Sequence, residues 1–286
     1  MSLISLKELL NDSKQKKYGV FATNAFTFEM AEIIVRAAEE KKSPIILMMA
    51  EDLFPFLNPQ LVGSSLLKII ENSKVPIVFH LDHGNTFNIV LKSMEYGFNS
   101  VMYDGSSLEL DENILAIKKL KEKANPLKIS VEGEVGQVRG LEGKKHNIDE
   151  QKISASDFTK VEDAVKFVDE TNVDALAVAV GTIHGKFRFK PQIDFERIKK
   201  LKDSLEVPPV LHGSSGLSDD DFRRAIKSGI TKINYFTGLV DIATKETKKV
   251  VLEDDFSYLH LNKKVLKSVK EAIMRMLDVF GSSGKA

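Results

Sequence analysis

The chain has 286 residues, 43% of them hydrophobic, enough for one large domain or two small ones. Lysine plus arginine and aspartate plus glutamate each number 41, so no overall field favours nucleic acid or an anionic membrane, and a small-molecule partner is expected. The absence of cysteine excludes disulfides, thiolate nucleophiles and thiolate metal sites; it suits a reducing compartment and leaves any metal to histidine and carboxylate.

The N-terminal MSLISLKELLNDSKQKKYG lacks a basic start followed by a long apolar core, and no later stretch approaches about 18 apolar residues. A cytoplasmic protein without membrane association is expected, with a first helix at residues 3 to 13. Eight β-rich apolar runs follow: YGVFATNAF from residue 18, SPIILMMA from 43, VPIVFHLD from 75, NSVMYDG from 99, LKISVEGEVG from 127, VDALAVAVGT from 173, VPPVLHGSS from 207 and ITKINYFTG from 230. Segments of helical spacing separate them, among them EMAEIIVRAAEEKK, NIVLKSMEYG, NILAIKKLKEKAN, DAVKFVDETN and DFRRAIKSG, several closing on Gly or Asn as helix ends prefer.

Near-continuous apolar strands alternating with amphipathic helices require a parallel sheet covered by helices. The reading is a (β/α)8 TIM barrel forming one domain over residues 1–286, with extra N-terminal and C-terminal helices. An open doubly wound sheet would show a Gly-rich turn after its first strand, where this chain has FATNAFTFEM. The C-terminal YLHLNKKVLKSVKEAIMRMLDVF has an apolar face suited to the body or to a subunit contact, and a homodimer or homotetramer is expected. The stretch GQVRGLEGKKHNIDEQKISASDF from Gly136 is too long for an ordinary βα loop; it reads as a mobile lid or as a simple insertion.

A barrel builds its site at the C-terminal ends of its strands. Strand three ends in Asp82-His83-Gly84, strand four in Asp104-Gly105, strand five in Glu132 and Glu134-Val135-Gly136, strand six in Thr182-Ile183-His184-Gly185, and strand seven in His212-Gly213-Ser214-Ser215-Gly216. Three histidines at that rim, leaving one position open, make the ligand set of a catalytic zinc or similar ion. His146 and His260 read as ordinary structural histidines. His80 shares a face with Asp82 and either orients the ligands or packs inside the barrel. Asp82 is too short and too close to His83 for easy chelation of the same ion and is better placed as an acid or base. The segments HGSSGLSDDDF and KINYFTG follow strands seven and eight, where small residues and helix N-termini suit a phosphate; Ser218 also reads as a helix cap.

Together, LDHG, VGTIHG, VLHGSSG and KIN resemble, in order and spacing, the class II metal-dependent ketose-phosphate aldolases, the group containing fructose-bisphosphate and tagatose-bisphosphate aldolases. The likeness runs from about residue 4 to the C-terminus. It implies cleavage of a ketose 1,6-bisphosphate, or a related ketose 1-phosphate, to dihydroxyacetone phosphate and an aldehyde through an enediolate stabilised by Zn2+. A second divalent or a monovalent cation is left open. By resemblance, His83, His184 and His212 are the zinc ligands, and Asp82 is the proton donor and acceptor at the aldehyde oxygen. Asp104 and Glu134 match carboxylates near an alternative metal position, and Glu142 a loop glutamate that exchanges the carbon-bound proton. Gly185, Gly213, Ser214, Ser215, Asn234 and Thr237 match phosphate and dihydroxyacetone contacts, and Asn24, matching an asparagine after strand one, is counted with them as substrate-binding.

Two positions depart from the fructose-bisphosphate pattern. Ala50 stands where a serine commonly follows strand two, and Phe236 stands where Asn or Asp is usual after strand eight. An altered aldehyde pocket is expected. The rival chemistries are a Schiff base on Lys232 or Lys186, a zinc-dependent hydrolase and a non-catalytic sugar-phosphate binder.

Overall fold

Eight parallel strands close into a barrel in chain order: β1 (Val20–Asn24), β2 (Ile45–Ala50), β3 (Ile77–Gly84), β4 (Ser100–Tyr103), β5 (Ser130–Val135), β6 (Ala175–Val178), β7 (Pro209–Leu211) and β8 (Lys232–Asn234), with β8 pairing back onto β1. The computed structural model describes residues 2–25, 27–55, 58–140, 153–185, 191–254 and 256–286. The expected (β/α)8 barrel is the observed one. Every residue of β1, β2, β5, β6, β7 and β8 is buried, because helices cover the outside of the barrel and side chains fill its inside. Hence most of these strands read as apolar runs rather than alternating ones.

The helices are α1 (Leu6–Lys16), α2 (Phe28–Lys41), α3 (Pro59–Glu71), α4 (Phe87–Glu95), α5 (Leu110–Ala124), α6 (Val161–Thr171), α7 (Phe195–Ser204), α8 (Asp219–Ser228), α9 (Thr237–Val250) and α10 (Tyr258–Val279). Short polar side chains start several of them by accepting an otherwise orphaned backbone N–H: Ser5 for α1, Thr27 for α2, Asn58 for α3, Thr86 for α4 and Ser257 for α10. Ser218 caps α8 as expected, in a reciprocal box with Asp221.

Helix α1 starts and ends later than the sequence suggests. Residues 2 to 4 are drawn into extended pairing beneath β3, where Ile4 N–H donates to the Ile77 carbonyl at 3.0 Å, so the helix begins only after the Ser5 cap. The long α10 packs on α2 and α9 and buries Val269, Ile273, Met276 and Leu277, so its apolar face meets the body of the same chain. Among the described residues no helix is long and apolar enough to cross a membrane.

Two apolar clusters follow from strand alternation. The larger lies between strands and helices and includes Phe21, Phe79, Leu81, Val131 and Ile233; the smaller sits inside the barrel and includes Val20, Ala22, Ile46, Val78 and Val210. Side chains two positions further along a strand share a face. Thus Asn24 follows Ala22 into the interior, and His80 and Asp82 follow Val78. On β5 and β8 the residues alternating with Val131 and Ile233 are Glu132, Glu134, Lys232 and Asn234, which face inward too. The barrel is therefore apolar below and polar towards its mouth.

Phe79 is fully buried outside β3, with its ring stacked on Phe98 at 4.0 Å between centroids. Phe79→Ala is expected to lower the unfolding free energy by about 3–5 kcal/mol through lost burial and an unfilled cavity. Chemical denaturation followed by circular dichroism measures this; a loss below about 1 kcal/mol would mean that the site collapses around the missing ring.

Candidate active site

Asp82 and His83 are consecutive, so on a regular strand they would face opposite sides of the sheet. The register of β3 against β4 shifts between Leu81 and Gly84, and His83 adopts φ 46°, in the left-handed region. This irregularity turns His83 back over the barrel mouth, a common use of bulges beside functional sites. Gly213 makes a second approach possible: at φ 63° its α-carbon faces Ile183 so closely that a Cβ would lie 2.4 Å from the Ile183 carbonyl carbon. The turn after β7 thus packs directly on the turn after β6. His212 and His184 are brought together as a result.

The three imidazoles form one cluster. His83 lies 4.8 Å from His184 and 4.7 Å from His212 between ring centroids, and one ligand atom from each lies within 4.8 Å of the others. His83 Nε2 and His212 Nδ1 face each other at 2.8 Å. Each of these two rings turns its other nitrogen to a carboxylate: His83 Nδ1 to Asp104 at 2.9 Å and His212 Nε2 to Glu132 at 2.9 Å. The backbone N–H of His184 donates to the Arg139 carbonyl at 2.7 Å.

This donor set fits a divalent ion. Two facing nitrogen lone pairs repel unless a proton or a cation lies between them, and carboxylates behind metal-bound imidazoles are the usual supporting shell. Glu134 Oε2 adds a buried oxygen with no hydrogen-bond partner among the described residues, 3.7 Å from His212 Nδ1. A second cluster, His83, Asp104 and Glu134, also brings one ligand atom from each residue within 4.8 Å of the others. Asp104 is at the same time engaged in orienting His83 and accepts from the Ser106 hydroxyl at 2.6 Å and its backbone N–H at 3.1 Å.

Asp82 is fully buried and pinned from two sides. The Asn24 side-chain amide donates to Oδ2 at 2.8 Å and that of Asn234 to Oδ1 at 2.9 Å. Burial alone would raise its pKa, but His83, His212, Lys232 and the Asn24 amide outweigh burial and hold it below the usual carboxylate value. Glu134 goes the other way: burial, aided by the neighbouring Asp104, pushes it up to about 8. For His83, burial is outweighed by the Asp104 hydrogen bond and by the charges of Asp82 and Glu134, which raise it to about 10. Asp104 is correspondingly held well below the carboxylate range, its burial overcome by His83 and Ser106.

The phosphate-type segments gather at the same end. The turn Gly213-Ser214-Ser215 follows β7, Thr237 opens α9 after β8, and Gly185 adopts φ 83° one residue beyond His184. Ser214 Oγ donates to the Asn234 carbonyl at 2.6 Å, tying the two loops together. The mouth contains a cavity of about 130 Å3 lined by residues that include Ala50, Asp52, Asn85, His83 and His184. Ala50 therefore lines the cavity at the barrel mouth. Phe236 is buried and is not among the lining residues.

His80 packs inside the barrel, fully buried, with Nδ1 2.8 Å from the Ser100 hydroxyl and Nε2 3.7 Å from Glu132. Lys232 is also fully buried, its Nζ 2.9 and 3.0 Å from the two Glu132 oxygens. His260, on α10, bonds Glu253 at 2.8 Å and is not part of the cluster. Glu142, His146 and Lys186 lie outside the described residues.

Sequence reading missed the anchor of the long βα connection. Asp157 accepts two bonds from the Arg139 guanidinium, at 2.8 and 2.7 Å, and the Ser154 N–H at 2.7 Å, while its carbonyl accepts the Gln137 N–H at 2.9 Å. It thereby joins the two ends of the connection and steadies the Arg139 carbonyl that holds His184. Only a separation of 18 residues between two charges hinted at it. Asp157→Asn is expected to cost about 1.5–3 kcal/mol at neutral pH. Although burial opposes it, Arg139 and Ser154 lower the pKa of this carboxyl in the fold. The contribution is then present above the unfolded value of about 3.9 and fades as pH falls through the lower folded value. Denaturation at pH 7 and pH 3 should show the variant's deficit shrinking in acid; a deficit constant with pH would contradict this.

Ionisable groups gathered at the C-terminal rim of a (β/α)8 barrel around a candidate metal centre define an enzyme of the barrel class, with its chemistry at the strand ends. The chain belongs to the class II fructose-bisphosphate aldolase family, whose model matches residues 4–285, and it is a carbon–carbon lyase. A 6-phospho-5-dehydro-2-deoxy-D-gluconate aldolase from Halalkalibacterium halodurans is 33% identical over 291 residues, covering 100% of this chain and 99% of its own length. A sulfofructosephosphate aldolase from Alkalicoccus urumqiensis is 35% identical over 290 residues, covering 100% and 99%. The crystal structure of the YdjI aldolase from Escherichia coli K12 superposes with a TM-score of 0.87 at 33% identity, covering 99% of both chains.

Proposed function

We propose that the protein cleaves a ketose 1-phosphate, with or without a second phosphate, to dihydroxyacetone phosphate and an aldehyde. The observation that carries this reading is a buried aspartate, pinned by two asparagine amides, immediately before one of three converging histidines. His83, His184 and His212 hold zinc or a similar divalent ion, which when bound supplies positive charge for the enediolate left by carbon–carbon cleavage, worth several kcal/mol.

The remaining roles belong to side chains. Asp82, kept ionised, takes the proton from the hydroxyl that becomes the aldehyde. Asn24 and Asn234 fix its orientation, and Asn234 Oδ1, buried with no hydrogen-bond partner among the described residues, is left for a substrate hydroxyl. Gly185, Gly213, Ser214, Ser215 and Thr237 receive the phosphate, where backbone N–H groups and the start of α9 favour an anion. Glu142 manages the carbon-bound proton. Asp104 and Glu134 serve the His83 side of the centre and offer a second cation position. Lys232 is committed to Glu132 inside the barrel, which speaks against a Schiff base there.

The relatives support a shared keto-phosphate end with a variable far end, since their names describe sugar phosphates that differ by a carboxylate or a sulfonate. Ala50 at the cavity agrees with a far end unlike that of fructose 1,6-bisphosphate. The exposed apolar residues Leu252, Tyr258 and Leu259, at 86%, 70% and 80% exposure, suit the contact of a homodimer or homotetramer.

The test is coupled detection of dihydroxyacetone phosphate from a panel of ketose 1-phosphates and 1,6-bisphosphates, with and without chelator and added zinc. Zinc-dependent release is expected, with fructose 1,6-bisphosphate outperformed by another member. Release from no member despite bound zinc would reject the proposal.

A further inference from the structure

The barrel interior holds an ion pair whose lysine none of the roles above uses. Glu132 and Lys232 face each other across the barrel from β5 and β8, both fully buried, 100 residues apart in sequence. Burying two charges costs several kcal/mol each, and a well-packed apolar pair is often as stable or more so. Stability alone is therefore a poor reason for the pair.

The geometry suggests another. Glu132 Oε1 accepts from Lys232 Nζ at 3.0 Å and meets His212 Nε2 at 2.9 Å, while Oε2 lies 2.9 Å from Lys232 Nζ and 3.7 Å from His80 Nε2. His80 is itself fixed by the Ser100 hydroxyl at 2.8 Å. The carboxylate is thus held on several sides and cannot swing away from the imidazole. A carboxylate only accepts, so His212 Nε2 must carry the hydrogen, and Nδ1 is left as the lone pair turned towards His83. His83 has a parallel arrangement at the rim, with Asp104 pinned by Ser106. Two imidazoles of the cluster have independently clamped carboxylates behind them.

We propose that Glu132 and Lys232 are positioning residues: Lys232 clamps Glu132, and Glu132 fixes the tautomer and ring angle of His212 so that Nδ1 faces the ion. This rests on the reading of His83, His184 and His212 as the ion-holding set. Supporting groups of this kind typically change metal affinity 10- to 100-fold when removed.

The test compares Glu132→Leu/Lys232→Met, which removes both charges, with Glu132→Gln/Lys232→Met, which keeps an acceptor for the His212 N–H. Zinc affinity is measured by competition with a chromophoric chelator, the ligand field by the absorption spectrum of the cobalt-substituted protein, and folding by thermal midpoint. The expected result for the leucine variant is a folded protein with zinc affinity lowered about 10- to 100-fold and an altered cobalt spectrum. The glutamine variant should recover part of that loss. Zinc affinity within about threefold of wild type and an unchanged cobalt spectrum would reduce the pair to a structural ion pair. If the leucine variant does not fold, the glutamine variant decides: weakened zinc binding with a normal thermal midpoint supports the proposal, and wild-type binding overturns it. Wild-type protein that binds no zinc would overturn the ion-holding reading and this proposal with it.

Discussion

Asp82→Asn is expected to lower kcat by about 10^2- to 10^4-fold while leaving zinc content and fold unchanged. The substitution keeps the shape of the side chain and removes its ability to accept a proton. In the native site both carboxylate oxygens are taken by amide donors, from Asn24 at 2.8 Å and Asn234 at 2.9 Å, and the nearer approach to His83 Nε2 is 3.9 Å. That arrangement suits the proposed role of a base beside the metal centre rather than a ligand within it. At about 1.36 kcal/mol per decade, the expected loss corresponds to roughly 3–5.5 kcal/mol of transition-state stabilisation. The KM for the ketose phosphate should change far less, because the proposed phosphate residues, Gly185, Gly213, Ser214, Ser215 and Thr237, lie on other turns of the rim than Asp82. Steady-state kinetics beside a metal assay separate the two roles. A variant that loses its zinc would make Asp82 a ligand, and one with near-wild-type kcat would place the proton transfer elsewhere.

The barrel was legible because covering both faces of a parallel sheet leaves a one-dimensional trace: apolar runs such as IILMMA, bounded by amphipathic segments ending in Gly or Asn. The rim was legible because polar residues that interrupt such runs only at their C-terminal ends have few other places to go. Local irregularity was harder to read. Nothing in LDHG states that His83 takes φ 46° and swings to the same side as Asp82. Long-range pairing was hidden altogether. Lys232 read as a Schiff-base candidate because its partner, Glu132, is brought near only when β8 closes on β1 and the interior is filled. For the same reason Asn24 and Asn234 read as substrate contacts, whereas the fold gives them a further task, holding Asp82 from two other strands. The displaced start of α1 has a similar origin: residues 3 and 4 read as helical in isolation, and extended pairing beneath β3 overrides that preference.

Removing the ion should have the largest effect of all. Treatment with a strong chelator is expected to abolish dihydroxyacetone phosphate release, and added zinc to restore it. His212→Ala should reproduce the chelated state, with kcat/KM down by about 10^3-fold or more, as expected when several kcal/mol of charge stabilisation is lost. His212 is the informative position because it is fully buried and meets both His83 and Glu132. Its loss removes one ligand and leaves Glu132 facing a void. His260→Ala is the matched control: that ring bonds Glu253 at 2.8 Å beside α10, and its removal should leave zinc content and kcat/KM unchanged. Asp104→Asn should fall between the two, since it weakens the support of His83 without deleting a ligand, and losses of about 10- to 100-fold in metal affinity are expected. This ordering, His212 above Asp104 above His260, distinguishes a metal centre from a site that merely needs buried histidines. Equal losses for His212→Ala and Asp104→Asn at saturating zinc would instead indicate that Asp104 is itself bound to the ion, in the cluster it forms with His83 and Glu134.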